Sequence, residues 1–177
     1  MAYYIRPMKA QDKTAIMQIL RDTTEFLPAE VVVAEEVLDS YLECPDSGYF
    51  VLVAEEVLDS YLECPDSGYF VMVAEEEKSI VGYVCYGLTP LTEGTWDVYW
   101  MAVTPQKKGK GIGGALLRLM EEEIRRNRGR LIVIETSSKP NYELTRRFYQ
   151  KQNYEQAAQI PDFYDVGDNL VIFTKRL

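Results

Sequence analysis

The chain has 177 residues, with 19 Lys or Arg against 28 Asp or Glu, a formal net charge of -9, and no histidine. An acidic chain without a long basic face is a poor nucleic-acid ligand, and the missing histidine removes the commonest general base and metal ligand, so no metal is expected. No apolar run approaches the roughly 20 residues that span a bilayer, and the three cysteines, at 44, 64 and 85, have neither metal spacing nor an even count.

The length fits a single domain over 1–177. The opening Met-Ala-Tyr-Tyr-Ile-Arg lacks the apolar stretch of a signal peptide, so cytoplasmic residence without a membrane partner is expected. An acidic surface favours a cationic substrate such as an amine, although it is also an ordinary way to stay soluble.

In chain order, residues 2–6 read as a strand, followed by a helix over about 10–21 with Ile16, Ile19 and Leu20 inward. Phe26-Leu-Pro-Ala-Glu30 breaks this helix and starts another, reaching about 43. Residues 80–87 and 95–103 form strands joined by a Pro/Thr/Gly loop. A glycine-rich loop then leads into a helix whose Ile112, Ala115, Leu116, Leu119, Met120 and Ile124 share one face. A strand at 130–136 and a helix at 141–152 come next, and strands at 154–160 and 169–175 close the chain around a loop at 161–168.

Between these elements lies a tandem duplication: residues 33–51 recur unchanged at 53–71, an offset of 20. Two copies do not make a solenoid, and an accident of slippage without function explains them best. Each copy carries a helical ridge (Val37, Leu38, Tyr41, Leu42 in the first), then the breaker Cys-Pro-Asp-Ser-Gly, then a strand-like Tyr-Phe-Val. The word Val-x-Val-Ala-Glu-Glu starts at 31, 51 and 71. Only the last leads straight into the hairpin Glu76-Glu-Lys-Ser79, so 69–75 is expected to be the strand. The middle copy is expected to form an extra helix near 54–63. Its ridge then needs cover from the domain or from another subunit, which leaves a homodimer open.

The most informative stretch is Val103-Thr-Pro-Gln-Lys-Lys-Gly-Lys-Gly-Ile-Gly-Gly-Ala-Leu-Leu117. Glycines at a helix start leave backbone N–H groups uncovered where the helix dipole favours an anion, which suits a pyrophosphate. Lys107, Lys108 and Lys110 add cations to an acidic chain. A Walker A loop is excluded because Ala115 stands where lysine is required. Gly109, Gly111 and Gly114 satisfy the dinucleotide spacing, with Glu135 at a plausible distance. However, Thr104–Lys108 separates the strand from the first glycine, and too little chain follows for the remaining βαβ units.

A third reading explains the spacing better. Lys108-Gly-Lys-Gly-Ile-Gly113 after Ala102-Val-Thr-Pro105 resembles the acyl-CoA loop of the GNAT-type (GCN5-related) N-acetyltransferases, with lysine where arginine or glutamine is usual. Setting one repeat aside, the resemblance covers nearly the whole chain. It implies an α/β (α+β) GNAT fold: a mixed, twisted sheet of about seven strands, splayed at strands 4 and 5 and flanked by four or five helices. It also implies acetyl-CoA as cosubstrate and a direct transfer of acetyl to a primary amine, on a small molecule or a peptide N-terminus. The competing class is a non-catalytic acyl-CoA-binding module.

The resemblance assigns candidate residues. Pantetheine would lie along the backbone of Met101, Ala102 and Val103, and pyrophosphate on the N–H groups of Lys108, Gly109, Lys110, Gly111, Ile112, Gly113 and Gly114. Tyr149, in Phe148-Tyr-Gln-Lys-Gln-Asn-Tyr154, matches the family's acid for the leaving thiolate, although Gln150 and Asn153 depart from the pattern. The alternative is a tyrosine that only packs under the sheet. Asn141, with Tyr142 as rival, matches a coenzyme ligand imperfectly. Asp97 is the candidate base, with Tyr99, Glu93 and Glu135 as alternates. Cys85 has nothing nearby in sequence to activate it and reads as a small buried hydrophobe. The tail resembles the last hairpin of peptide N-terminal acetyltransferases, which makes Asp162, Tyr164 and Asp165 a candidate lip for the acceptor's ammonium.

Overall fold

The structure, a computed structural model, describes residues 4–43 and 68–177. The expected helix at 54–63 lies outside the described residues. Seven strands form one mixed sheet: β1 (Tyr4–Pro7), β2 (Tyr69–Glu76), β3 (Ser79–Leu88), β4 (Thr95–Val103), β5 (Leu131–Ser137), β6 (Glu155–Asp165) and β7 (Asp168–Arg176), in the order β1-β2-β3-β4-β5-β7-β6. The described helices are α1 (Lys13–Asp22), α2 (Pro28–Glu43), α3 (Ile112–Arg126) and α4 (Glu143–Lys151). None of them is long and apolar enough to cross a membrane. The chain divides into two compact units, 1–87 with 100–116, and 88–99 with 117–177.

In the first unit, α1 buries Ile16, Met17, Ile19 and Leu20, and α2 buries Ala34, Val37, Leu38 and Tyr41. The third Val-x-Val-Ala-Glu-Glu word forms β2, as its hairpin context requires. Glu77 and Lys78 make the two-residue turn to β3, both with positive φ (49° and 65°). Such a turn matches the right-handed twist of the strands that it joins. Cys85 is buried in β3, and burial pushes its thiol far above the ordinary range, which makes it a packing residue.

In the second unit, β4 runs parallel to β5, with Thr95–Val98 in register with Leu131–Ile134. Both strands continue past this registered stretch, β4 to Val103 and β5 to Ser137. α3 leaves through Gly129, whose N–H donates to the Ile124 carbonyl at 2.8 Å. A side chain there would collide with Ile124 and approach Trp96 Nε1 to 2.8 Å, so glycine is needed for close packing.

Two expectations need correction. Leu119 is exposed and Leu117 is buried, because the covered stripe of α3 runs through Leu116, Leu117, Met120 and Ile124, with Leu119 at its margin. Residues 161–168 are not an open loop. β6 extends to Asp165 and β7 begins at Asp168, so the hairpin turn is only Val166-Gly167. Pro161–Tyr164 still stands outside the ladder, since pairing passes from Ile160–Leu170 directly to Asp165–Asp168.

Candidate active site

In the first unit, a short 3-10 turn at Pro105–Lys107 carries the chain from β4 into the glycine loop. Gly109 and Gly111 have φ of +76° and +83°, the left-handed region that favours glycine. A Cβ added at either would meet nothing within 4 Å. The backbone conformation, and not crowding, therefore demands glycine, and the space over the loop is open. The first helical bond runs from the Ala115 N–H to the Gly111 carbonyl at 3.0 Å. The N–H groups of Ile112, Gly113 and Gly114 thus belong to the first turn, which has no intrahelical acceptors. Among Met101, Ala102 and Val103, Ala102 is buried and its neighbours are half-buried.

The three lysines do not form the free cationic cluster that the sequence suggests. Lys107 pairs with Glu76, and Lys108 with Glu25 at 2.9 Å. Burial pushes the Glu25 carboxyl up, but the Lys108 ammonium, a backbone hydrogen bond and Thr24 together leave that group below its ordinary value. Lys110 has no ion pair among the described residues. Neither Glu25 nor Glu76 carries a local sequence signal for this role, because both pairings cross between elements.

In the second unit, Asp97 on β4 stands opposite Val133 on β5. Glu135, two residues further along β5, shares that face. Thr89 Oγ1 donates to Asp97 Oδ2 at 2.7 Å. Burial pushes the Asp97 carboxyl up, and the Thr89 bond only partly offsets this. Partial burial and then the Asp97 charge push Glu135 up as well. The structure therefore brings Asp97 and its alternate together as an interacting pair of carboxylates, both more basic than usual. Thr89 had no signal beyond its place in a polar loop. Of the other alternates, Glu93 lends its carbonyl to Arg130 Nε at 2.7 Å, and Tyr99 is half-buried.

Tyr149 is buried on α4, its ring 5.5 Å from Phe148, 6.1 Å from Tyr154 and 6.0 Å from Phe173. Burial pushes its phenol up to about 12, so the hydroxyl keeps its proton at neutral pH. Asn141 is exposed in the 3-10 turn Pro140–Tyr142 that precedes α4, and Tyr142 is half-buried there.

Asp162, Tyr164 and Asp165 lie on β6 and are exposed. Asp162 Oδ1 accepts the Gly167 N–H and Asp165 Oδ1 accepts the Val166 N–H, each at 2.7 Å. These carboxylates hold their own turn together. The aromatic pair Phe163–Tyr164, edge to face at 5.0 Å, projects beside them.

The family model described as acetyltransferase (GNAT) domain matches residues 67–156, from the start of β2 into β6. The chain belongs to the GNAT acetyltransferase family. A protein assigned to the same GNAT family from Desulfovibrio desulfuricans is 32% identical, with 99% of each chain covered and a TM-score of 0.82. The uncharacterized N-acetyltransferase MJ1530 of Methanocaldococcus jannaschii is 30% identical over 97 residues, spanning 55% of this chain and 60% of that protein. The yncA protein of Salmonella typhimurium, solved with its cofactor acetyl-CoA, shares the GNAT fold at 20% identity, with 100% and 95% of the two chains covered and a TM-score of 0.66. GNAT acetyltransferases use acetyl-CoA, and the parallel β4–β5 pair within a seven-stranded mixed sheet is the GNAT arrangement.

Proposed function

We propose that this chain transfers acetyl directly from acetyl-CoA to a primary amine, on a small molecule or a peptide N-terminus, in a ternary complex. The observation that carries this reading is the loop at 108–114: two left-handed glycines, open space above them, and first-turn N–H groups at the mouth of α3. Those donors suit a pyrophosphate, and the backbone of Met101–Val103 suits the pantetheine amides.

The chemistry requires an uncharged amine, and the Asp97–Glu135 pair supplies a base. Asp97, oriented by Thr89, takes the ammonium proton directly or through water. The amine nitrogen bonds to the thioester carbonyl carbon, and the tetrahedral intermediate collapses with cleavage of the C–S bond. The Tyr149 hydroxyl gives its proton to the leaving thiolate and regains one from water, and Glu135 takes up the second amine proton, so that once both carboxyl groups return theirs to water one proton is released overall. The exposed Phe163–Tyr164 pair is the acceptor-side surface in this reading. Asp162 and Asp165 act there mainly by shaping the turn, and Asn141 is a minor coenzyme contact.

The test is acetyl-CoA consumption across a panel of amines and N-terminal peptides, with coenzyme A binding measured by calorimetry. Turnover that Tyr149→Phe lowers about 100-fold and Asp97→Asn about ten-fold, with binding retained, supports the proposal. Coenzyme binding without acetylation of any amine makes the protein an acyl-CoA-binding module instead, and no binding to the loop ends both readings.

A further inference from the structure

Glu121 breaks the apolar pattern of α3. It is only 4% exposed, within a stripe otherwise made of Leu117, Met120 and Ile124. Burying a carboxylate is costly unless every oxygen finds a partner. Here both oxygens accept from Lys175 Nζ on β7 at 2.8 Å, and Oε1 also accepts the Tyr154 hydroxyl at 3.1 Å. Lys175 spends a further donor on the Gln152 carbonyl at 3.0 Å and lies 5.2 Å from the centre of the Tyr154 ring. Burial and the Glu121 charge hold the Tyr154 hydroxyl far above the ordinary phenol value, so it remains a donor.

This network converges on the turn that follows Tyr149. The N–H groups of Gln152 and Tyr154 both donate to the Tyr149 carbonyl, at 3.0 and 3.1 Å, and the Tyr154 ring flanks the Tyr149 ring. Phe173, two residues before Lys175 on the same strand, covers another side of it. The ionic cluster thus fixes the backbone, through Gln152 and Tyr154, of the residue whose ring it also flanks. An apolar cluster of equal volume would pack as well, but it would provide none of these directional bonds.

We infer that Glu121, Lys175 and Tyr154 are positioning residues for Tyr149, setting where its hydroxyl points in the acetyl-transfer reaction. The inference rests on Tyr149 being the acid proposed above. It predicts a loss in kcat with little change in KM, because positioning of a proton donor is felt in the transition state.

The test is a set of mutant cycles on the full chain. Tyr154→Phe, which removes one hydroxyl, should lower kcat about three-fold, and Glu121→Leu with Lys175→Met about ten-fold, with KM for acetyl-CoA and amine within about two-fold. The apolar pair keeps the core filled, so thermal unfolding separates misplacement from unfolding, and Tyr154→Phe stands alone if the pair fails to fold. In a Tyr149→Phe background both changes should be silent. The same fold losses in that background, or full kcat in both variants, would overturn the inference. If Tyr149→Phe alone leaves kcat intact, the acid assignment itself has failed, and the first arm of the cycle reveals that separately.

Discussion

The glycine loop and the surroundings of Tyr149 are built on opposite plans. The loop offers main-chain donors under open space, and Lys107 and Lys108 beside it are tied to carboxylates elsewhere. Tyr149 instead sits among Phe148, Tyr154 and Phe173, and packing sets its conformation. A backbone site tolerates changes in neighbouring side chains but not in its own dihedral angles. A packed side-chain site tolerates little change in volume or in the groups that aim it. Damage to the loop should appear in coenzyme affinity, and damage around Tyr149 in turnover.

The largest effect is expected from Tyr149→Phe, which should lower kcat about 100-fold while leaving coenzyme A binding by calorimetry unchanged. Next, Gly111→Val forces a β-branched residue into φ +83° and should weaken coenzyme A binding at least about ten-fold. Equal losses of affinity in both variants would erase the contrast. Asp97→Asn should reduce kcat/KM about ten-fold. It also removes the charge that helps raise Glu135, so the acidic limb of any residual activity should move to lower pH. An acidic limb that does not move would show that Glu135 takes no part. Lys110→Ala should cost about three-fold in coenzyme affinity at low salt, as exposed charges do. Lys108→Ala should cost less, because Glu25 already neutralises that lysine. Smallest of all, deleting Val53–Met72 leaves both regions intact and rebuilds β2 as Tyr-Phe-Val-Leu-Val-Ala-Glu-Glu, a Met-to-Leu exchange. Affinity and turnover should stay within about two-fold, since that exchange is volume-conserving.

The loop was legible because its logic is local. Positive-φ glycines and a helix start occupy consecutive residues, and the strand and helix periods on either side are readable within a dozen positions. The Asp97–Glu135 pair was half legible: each carboxylate was a candidate, but only the parallel register of β4 and β5 puts them on one face. The partners of Lys107 and Lys108 could not be read, because Glu76 and Glu25 lie 31 and 83 residues away. Glu121 was invisible for the same reason. Its polar side chain contradicts the apolar stripe until Lys175, 54 residues on, supplies the counter-charge.

The repeated word marks the boundary most sharply. Val31-Val-Val-Ala-Glu-Glu36 is helical in α2, and Val71-Met-Val-Ala-Glu-Glu76, nearly the same residues, is extended in β2. The amino-acid order alone carried the family resemblance, the glycine-rich helix start and the succession of elements, since these depend on neighbours along the chain. The tertiary structure decided which lysines remain for a ligand, which acidic residues face one another and how Tyr149 is held. Those outcomes depend on pairing between distant strands and helices, where desolvation and counter-charges act between residues that no local pattern connects.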